Sequence, residues 1–356
     1  MAVTIYDIAR EAKVGIGTVS RVFNDSPKVT IETRERVVRV AKRLNYQPHA
    51  FAQALARKRT NTFSAIIPFF TNYFFIQILQ GVQESLISIG YDLIIHGTNS
   101  QEQLDEYFAR SMRKGRVDGI LLFSLGLPQR FADEFIQKDI PLILVDTFHP
   151  SFDSIRVNNV EGARTATEYL LSLGHSDIGM INANISSVPA KERLMSFKET
   201  LQQKNLSVRN DIVVSSMSGK QDGFNRDAGY YSMKEILSQK IKLPSAFFVS
   251  SDIQAIGVMD ALAEKSIRVP EDIAIVSFDD IELANHFGLT TMRQPMFDMG
   301  IMAIEKLIER LKNPNVPPTL TTILPKLIVR KSCGGQQLDK PKLEHNFPLY
   351  SSEPQI

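Results

Sequence analysis

Cysteine occurs once in the 356 residues, at Cys333, and tryptophan not at all. A single thiol excludes a disulfide framework within one chain and fits a reducing compartment. No apolar run approaches the roughly eighteen residues a membrane span needs, so a cytoplasmic chain with no membrane partner is expected. No secretory leader is expected either, because a helical pattern already begins at Thr4. The six histidines, His49, His96, His149, His175, His286 and His345, are scattered without metal-ligand spacing. With no cysteine pairs beside them, neither a metal nor any other cofactor is expected. Gly15-Ile16-Gly17 has no strand before it and is not a dinucleotide loop. Residues 334–356 are rich in Gln, Lys, Pro and Ser and carry no apolar heptad, which predicts a disordered tail and argues against a zipper-type tetramer.

Charge is present but unevenly placed. Residues 1–60 hold 12 Lys and Arg against 5 Asp and Glu, a net of +7. The remaining 296 residues hold 29 against 34, a net of −5, so the whole-chain value of +2 hides a basic head on a mildly acidic body. That asymmetry is the electrostatic footprint of a phosphate-binding module.

The head has a pattern to match. Thr4 stands as an N-cap with Asp7 three residues on, and Ile5, Ile8, Ala9 and Ala12 share one helical face. Lys13-Val14-Gly15 breaks the period. Ile16 to Asn24 resumes it with Val19, Val22 and Phe23 inward and Ile16, Gly17, Ser20, Arg21 and Asn24 outward. Two helices joined so tightly fit a helix-turn-helix, whose second helix enters the major groove of duplex DNA. An arginine such as Arg21 can hold guanine O6 and N7 together. The plainer reading is a small helical hairpin with solvated charges. A third helix, Thr30 to Leu44, with Val37, Val40, Ala41 and Leu44 at core spacing, closes a three-helix headpiece over residues 1–47.

Val3-Thr4-Ile5-Tyr6-Asp7-Ile8-Ala9, together with Thr18-Val19-Ser20-Arg21-Val22, resembles the headpiece signature of the lactose-repressor/galactose-repressor family of bacterial regulators. Leu44-Asn45-Tyr46-Gln47-Pro48 and Ala52-Gln53-Ala54-Leu55-Ala56 are similar to that family's hinge, placing a hinge helix and linker at 48–60. The resemblance implies that two hinge helices of a homodimer lie in the minor groove, each wedging a leucine, here Leu55, into the central base step. Such a helix is too short to persist alone in water, and the wedge kinks the duplex at a cost of about a few kcal/mol. The plainer reading of Leu55 is a linker residue packing on the body. The implied DNA contacts are Thr4, Tyr6, Ile16, Gly17, Thr18, Ser20, Arg21, Asn24, Lys28, Ala52, Gln53 and Leu55. Gly15 and Gly17 depart from the family pattern. With Ile16 and Gly17 at variable reading positions, discrimination leans on Arg21, on thymine-methyl contact and on DNA shape.

From Thr62 onward, apolar runs alternate with helical stretches. The runs Phe63–Phe70, Tyr91–His96, Val117–Phe123 and Pro141–Asp146 form one series. Ile178–Ile181, Ile212–Val214, Ala246–Val249 and Ile273–Phe278 form a second. Strands alternating with helices predict doubly wound parallel sheets, and two series predict an α/β core of two lobes. The resemblance implies a periplasmic-binding-protein-like core over 61–333. Its first lobe spans about 61–157 and 291–320, and its second about 158–290 and 321–333.

Ligands of such sheets bind beyond the carboxyl ends of the strands, here in a cleft expected between the lobes. The candidates at strand ends are Tyr73, Phe74, Asp146, Arg193, Phe224, Ser251 and Asp279. A charged fork, carboxylates and flat rings suit a sugar or related polyol, with a nucleoside also open. The resemblance assigns Arg193, Asp146, Phe224 and Asp279 to ligand contact. Each has a plainer reading: Asp252 and Asp279 as helix caps, the phenylalanines as core. Phe69 and Asn158 stand where relatives carry Asp, which makes the expected cleft less anionic. The whole implies a regulator, most simply a repressor, that binds a near-palindromic double-stranded operator as a homodimer under control of a small effector. The alternative of a different class is a cytoplasmic sugar-modifying enzyme with an accessory DNA-binding head, which turnover of a bound sugar would reveal.

Overall fold

The computed structural model describes residues 3–24, 26–46, 59–98, 100–113, 115–216 and 220–335. The expected hinge helix, with Ala52, Gln53 and Leu55, and the expected tail beyond residue 335 lie outside the described residues.

Helices α1 (Ile5–Glu11), α2 (Ile16–Phe23) and α3 (Ile31–Arg43) enclose a core of their own. Ile8, Ala12, Val19, Val22, Val37 and Ala41 are buried, with Phe23, Val40 and Leu44 packed against them. Lys13 adopts φ 52° in the turn, where the amide of Val14 closes onto Ala9 O at 3.0 Å. Thr30 caps α3 by accepting from the Thr33 amide.

Beyond residue 60 the chain forms two six-stranded sheets in two units, Met1–Asn158 with Pro295–Ile323, and Asn159–Gln294 with Leu324–Ile356. In unit 1, β1 (Thr62–Ile67), β2 (Asp92–Gly97), β3 (Gly119–Phe123), β4 (Leu142–Val145) and β5 (Asp153–Val157) run parallel in the order 2-1-3-4-5. They alternate with α4 (Tyr73–Ile89), α5 (Gln101–Ser111) and α6 (Gln129–Gln137). In unit 2, α7 (Asn159–Ser172), α8 (Val188–Gln203), α9 (Arg226–Ser238), α10 (Asp252–Ala263) and α11 (Glu282–His286) accompany the strands. There β6 (Ile178–Asn182), β7 (Val213–Ser215), β8 (Ala246–Val249), β9 (Ala274–Asp279) and β10 (Thr290–Arg293) take the order 7-6-8-9-10. The two orders are the same order, so the duplication is topological. Buried on both faces, β1, β3, β4, β8 and β9 read as the near-continuous apolar runs of parallel strands.

Three boundaries differ from expectation. β1 stops at Ile67: Pro68 has no amide to donate, and the Phe70 ring turns over Gly97, where a Cβ would lie 2.2 Å from it. Residues 291–293, expected in the first lobe, belong to β10, which pairs with β9 from Thr290↔Val276 to Arg293↔Asp279. Residues 321–323, expected in the second lobe, complete β11 (Leu320–Ile323), which pairs in parallel with β5. β12 (Lys326–Ile328) then closes the second sheet antiparallel to β10. In unit 1, α12 (Met296–Lys312) crosses α4 backbone to backbone. A Cβ at Gly81 would sit 2.0 Å from Phe297 O, and one at Gly300 2.1 Å from Ile78 O.

Candidate functional site

The headpiece presents the outer face of α2. Val19 and Val22 anchor the helix inward, leaving Ile16 at 42% exposure and Gly17 and Arg21 exposed. Thr18 and Ser20 are half-buried, and Asn24 is half-buried with its amide donating to Ser20 Oγ at 3.3 Å, so it points less freely outward than expected. Thr4, Tyr6 and Lys28 are exposed. Asp7 accepts from the Thr4 amide at 2.9 Å and its hydroxyl at 2.7 Å, and these bonds hold the Asp7 carboxyl below the usual carboxylate range. Sequence reading missed Arg34. It does not reach outward to a phosphate; it donates to Val22 O at 3.2 Å and Ser26 O at 2.9 Å, fixing the exit of the reading helix.

The effector candidates of unit 2 gather on Arg193, on α8. Its side chain is nearly fully buried. Nε donates to Asn159 Oδ1 at 2.9 Å, and Nη1 donates to Ser250 O at 2.5 Å while lying 3.7 Å from Asp279 Oδ1. The guanidinium lies 3.7 Å from the centroid of the Phe278 ring and 5.8 Å from that of Phe224. Asp279 ends β9 at φ 118°, and Gln294 donates to its Oδ1 at 2.6 Å. Arg193, Asp279 and Phe224 are thus brought together, joined by Asn159, Phe278, Ser250 and Gln294, which sequence reading did not assign. Gln294 is 15 residues from Asp279 and Asn159 is 34 from Arg193, so only the sheet order brings them into contact.

Ser251 does not join them. It is fully buried as the N-cap of α10, accepting from the Gln254 amide and donating to Gln254 Oε1 at 3.0 Å. The adjacent aspartates point apart. Asp280 meets Arg293 Nε at 2.6 Å and Arg330 Nη2 at 2.7 Å rather than sharing the Arg193 cluster. Asp252, expected as a cap, is fully buried and takes Ser277 Oγ at 2.5 Å, Thr291 Oγ1 at 2.6 Å and the Ile281 amide at 2.9 Å. Burial outweighs these bonds and pushes its carboxyl up to about 7.

In unit 1, Asp146 follows β4 at φ 58° and accepts from Ser124 Oγ at 2.7 Å. Tyr73, exposed, and Phe74, half-buried, open α4 after its Asn72 cap, and the Phe74 ring sits edge-on to Phe75 at 5.3 Å. All follow the carboxyl ends of β1 and β4. Among the described residues no group of three or more His, Cys, Asp or Glu could hold a metal ion, and no helix is long and apolar enough to cross a membrane.

Comparison with known proteins agrees with this layout. Residues 4–49 match the model of bacterial regulatory proteins of the lacI family, and residues 167–333 match a periplasmic binding protein-like domain. The chain is 33% identical to the HTH-type transcriptional repressor PurR of Vibrio cholerae over 92% of its own length and 97% of the relative's. It is 32% identical to the ribose operon repressor of Haemophilus influenzae over 92% and 98%. Among solved structures, the lac repressor dimer bound to operator and the anti-inducer ONPF matches at 25% identity and a TM-score of 0.80, covering 93% of this chain and 99% of that one.

Proposed function

The chain belongs to the lacI family of bacterial regulatory proteins, and on that premise we propose that it is a repressor that binds a near-palindromic operator as a homodimer and is tuned by a small effector. It is a sequence-specific DNA-binding regulator. One observation carries that reading: a headpiece with its own core exposes Ile16, Gly17 and Arg21 side by side on the outer face of α2. A folded minidomain that leaves an apolar side chain and a charged fork unpartnered on one rigid helix suits a major groove, where thymine methyls and guanine edges supply the missing contacts.

The proposed effector contacts are Arg193, Asp279 and Phe224 in unit 2, and Asp146, Tyr73 and Phe74 in unit 1. The unit 2 cluster favours a polyhydroxylated ligand. A guanidinium and a carboxylate offer donors and an acceptor to vicinal hydroxyls, while ring faces take the C–H side of a pyranose or the face of a base. Relatives of nearly equal identity carry different names, PurR and ribose operon repressor, so overall identity does not choose between a sugar and a nucleobase. Effector and DNA are linked: whatever factor the effector applies to operator affinity, DNA applies to effector affinity.

The test is selection of bound fragments from a random duplex pool by the full-length protein, alone and with a mixture of sugars and nucleosides. The expected yield is a near-palindrome with a flexible central pyrimidine–purine step, recovered in one condition and depleted in the other. Binding without sequence preference in both would overturn the repressor reading, and recovery indifferent to every ligand would overturn the effector assignment.

A further inference from the structure

The geometry points to a second DNA-contacting surface, on unit 1 itself: Arg113 and Arg116, on the turn that leads into β3, bind the phosphate backbone outside the bases read by α2. This rests on the DNA-binding reading above.

The chain enters unit 1 at a built anchor. Asp118 accepts from the Thr60 amide at 2.7 Å, the Thr60 hydroxyl at 2.9 Å and the Asn61 amide at 2.9 Å. Its own amide donates to Thr62 O at 2.8 Å. Tyr91 stacks on Phe63 at 4.4 Å, and Asp118 and Arg59 both act on its hydroxyl. Arg59 therefore lies near Tyr91, at the amino ends of the strands.

Asp118 is reached in sequence from the turn that follows α5. The Arg113 amide donates to Arg110 O at 3.3 Å and the Arg116 amide to Arg113 O at 3.1 Å, so both arginines stand on a hydrogen-bonded turn two to five residues before Asp118. Both are exposed. Arg110 has Glu106 at 3.5 Å, but among the described residues no carboxylate pairs with Arg113 or Arg116. The acidic groups near this edge are Asp118, committed to the backbone of residues 60 and 61, and Asp92 at the start of β2. On a body of net charge −5, two exposed arginines with no carboxylate partner among the described residues form a rim that can take an anionic partner.

Covalent connection names that partner. Residues 44–59 join the end of α3 to this rim, so it lies within about 55 Å of the headpiece even with the connection fully extended. A duplex held by α2 offers a phosphate charge about every 1.7 Å along its axis.

The experiment measures binding of the full-length protein to a long mixed-sequence duplex and to the selected operator at several salt concentrations. Each phosphate contact contributes about 0.9 to the slope of log affinity against log salt. Arg113→Gln with Arg116→Gln removes four arginines from the homodimer and is expected to lower that slope by about 3.6 on both duplexes. Raising salt from about 50 to about 200 mM should then weaken the parent about a hundredfold more than the variant. Arg113→Lys with Arg116→Lys is expected to keep the parental slope. An unchanged slope in the glutamine variant overturns the proposal, even if affinity falls, because the arginines would then act through protein contacts. A parent protein that binds neither duplex removes the DNA-binding reading, and this surface with it.

Discussion

Arg21 and Arg193, proposed for the two recognition tasks of the chain, stand in opposite environments. Arg21 stands exposed on α2, and among the described residues no carboxylate pairs with it. Arg193 is nearly fully buried and held by Asn159, Ser250, Asp279 and the Phe278 ring. DNA supplies its own dense charge, so the headpiece needs only a rigid helix and an uncommitted fork. A small neutral polyol, the proposed effector, would supply none, and the cluster already holds its charge desolvated, oriented and compensated by protein groups.

The largest expected effect breaks the buried side of that contrast. Arg193→Ala takes the guanidinium away from buried Asp279 and should cost about 3–5 kcal/mol in denaturant unfolding. Arg193→Leu combined with Asp279→Asn should recover most of it. A loss below about 1 kcal/mol for the single change would mean that Arg193 behaves like a surface ion-pair partner. Next in size, Arg21→Ala should leave the unfolding midpoint unchanged and remove about 1–3 kcal/mol of discrimination at one base pair per half-site. Equal weakening across all sequences would reduce Arg21 to a phosphate contact. Gly17→Ala should stabilise the headpiece by up to about 1 kcal/mol, since a Cβ there meets nothing within 4 Å. Lower thermal stability would show that Gly17 serves the fold rather than the groove.

The subtlest expected effect is a slope. The Asp252 carboxyl is raised from an ordinary 3.8 to about 7 by burial. The folded chain therefore holds this proton at pH values where the unfolded chain has released it. The resulting stability is complete below about pH 4, declines as pH rises and is gone above about pH 7. Asp252→Asn should flatten unfolding free energy against pH across that window, and an unaltered profile would assign the decline to other groups.

Much of this was legible in the sequence, and what was not has identifiable physical causes. Buried parallel strands announce themselves as apolar runs, so β1, β3, β4, β8 and β9 were read within a few residues. β5 was not, because its buried positions include Asp153, which Arg310 and Thr319 neutralise from 157 and 166 residues away. β11 was missed because an edge strand of half-exposed residues leaves no apolar run. Family motifs pointed to Arg193, Phe224 and Asp279, which the structure brings together, whereas Ser251, proposed on the same strand-end logic, is the buried N-cap of α10 and lies outside that cluster. Asn159, Phe278 and Gln294 became visible only once the sheets were assembled.

The crossings of the chain bear on its synthesis. Unit 1 begins at the amino terminus, yet its edge strand β11 and the helix α12, locked against α4 through Gly81 and Gly300, come from residues that follow β6 to β10. As the chain leaves the ribosome, the sheet of unit 2 is nearly all translated before unit 1 can close. During that interval α4 exposes the glycine groove meant for α12 and β5 presents an unpaired edge, the features that invite association with other chains. The lobe joined to the DNA-reading head is therefore finished late, so a truncated product that still carries the headpiece lacks a complete first lobe.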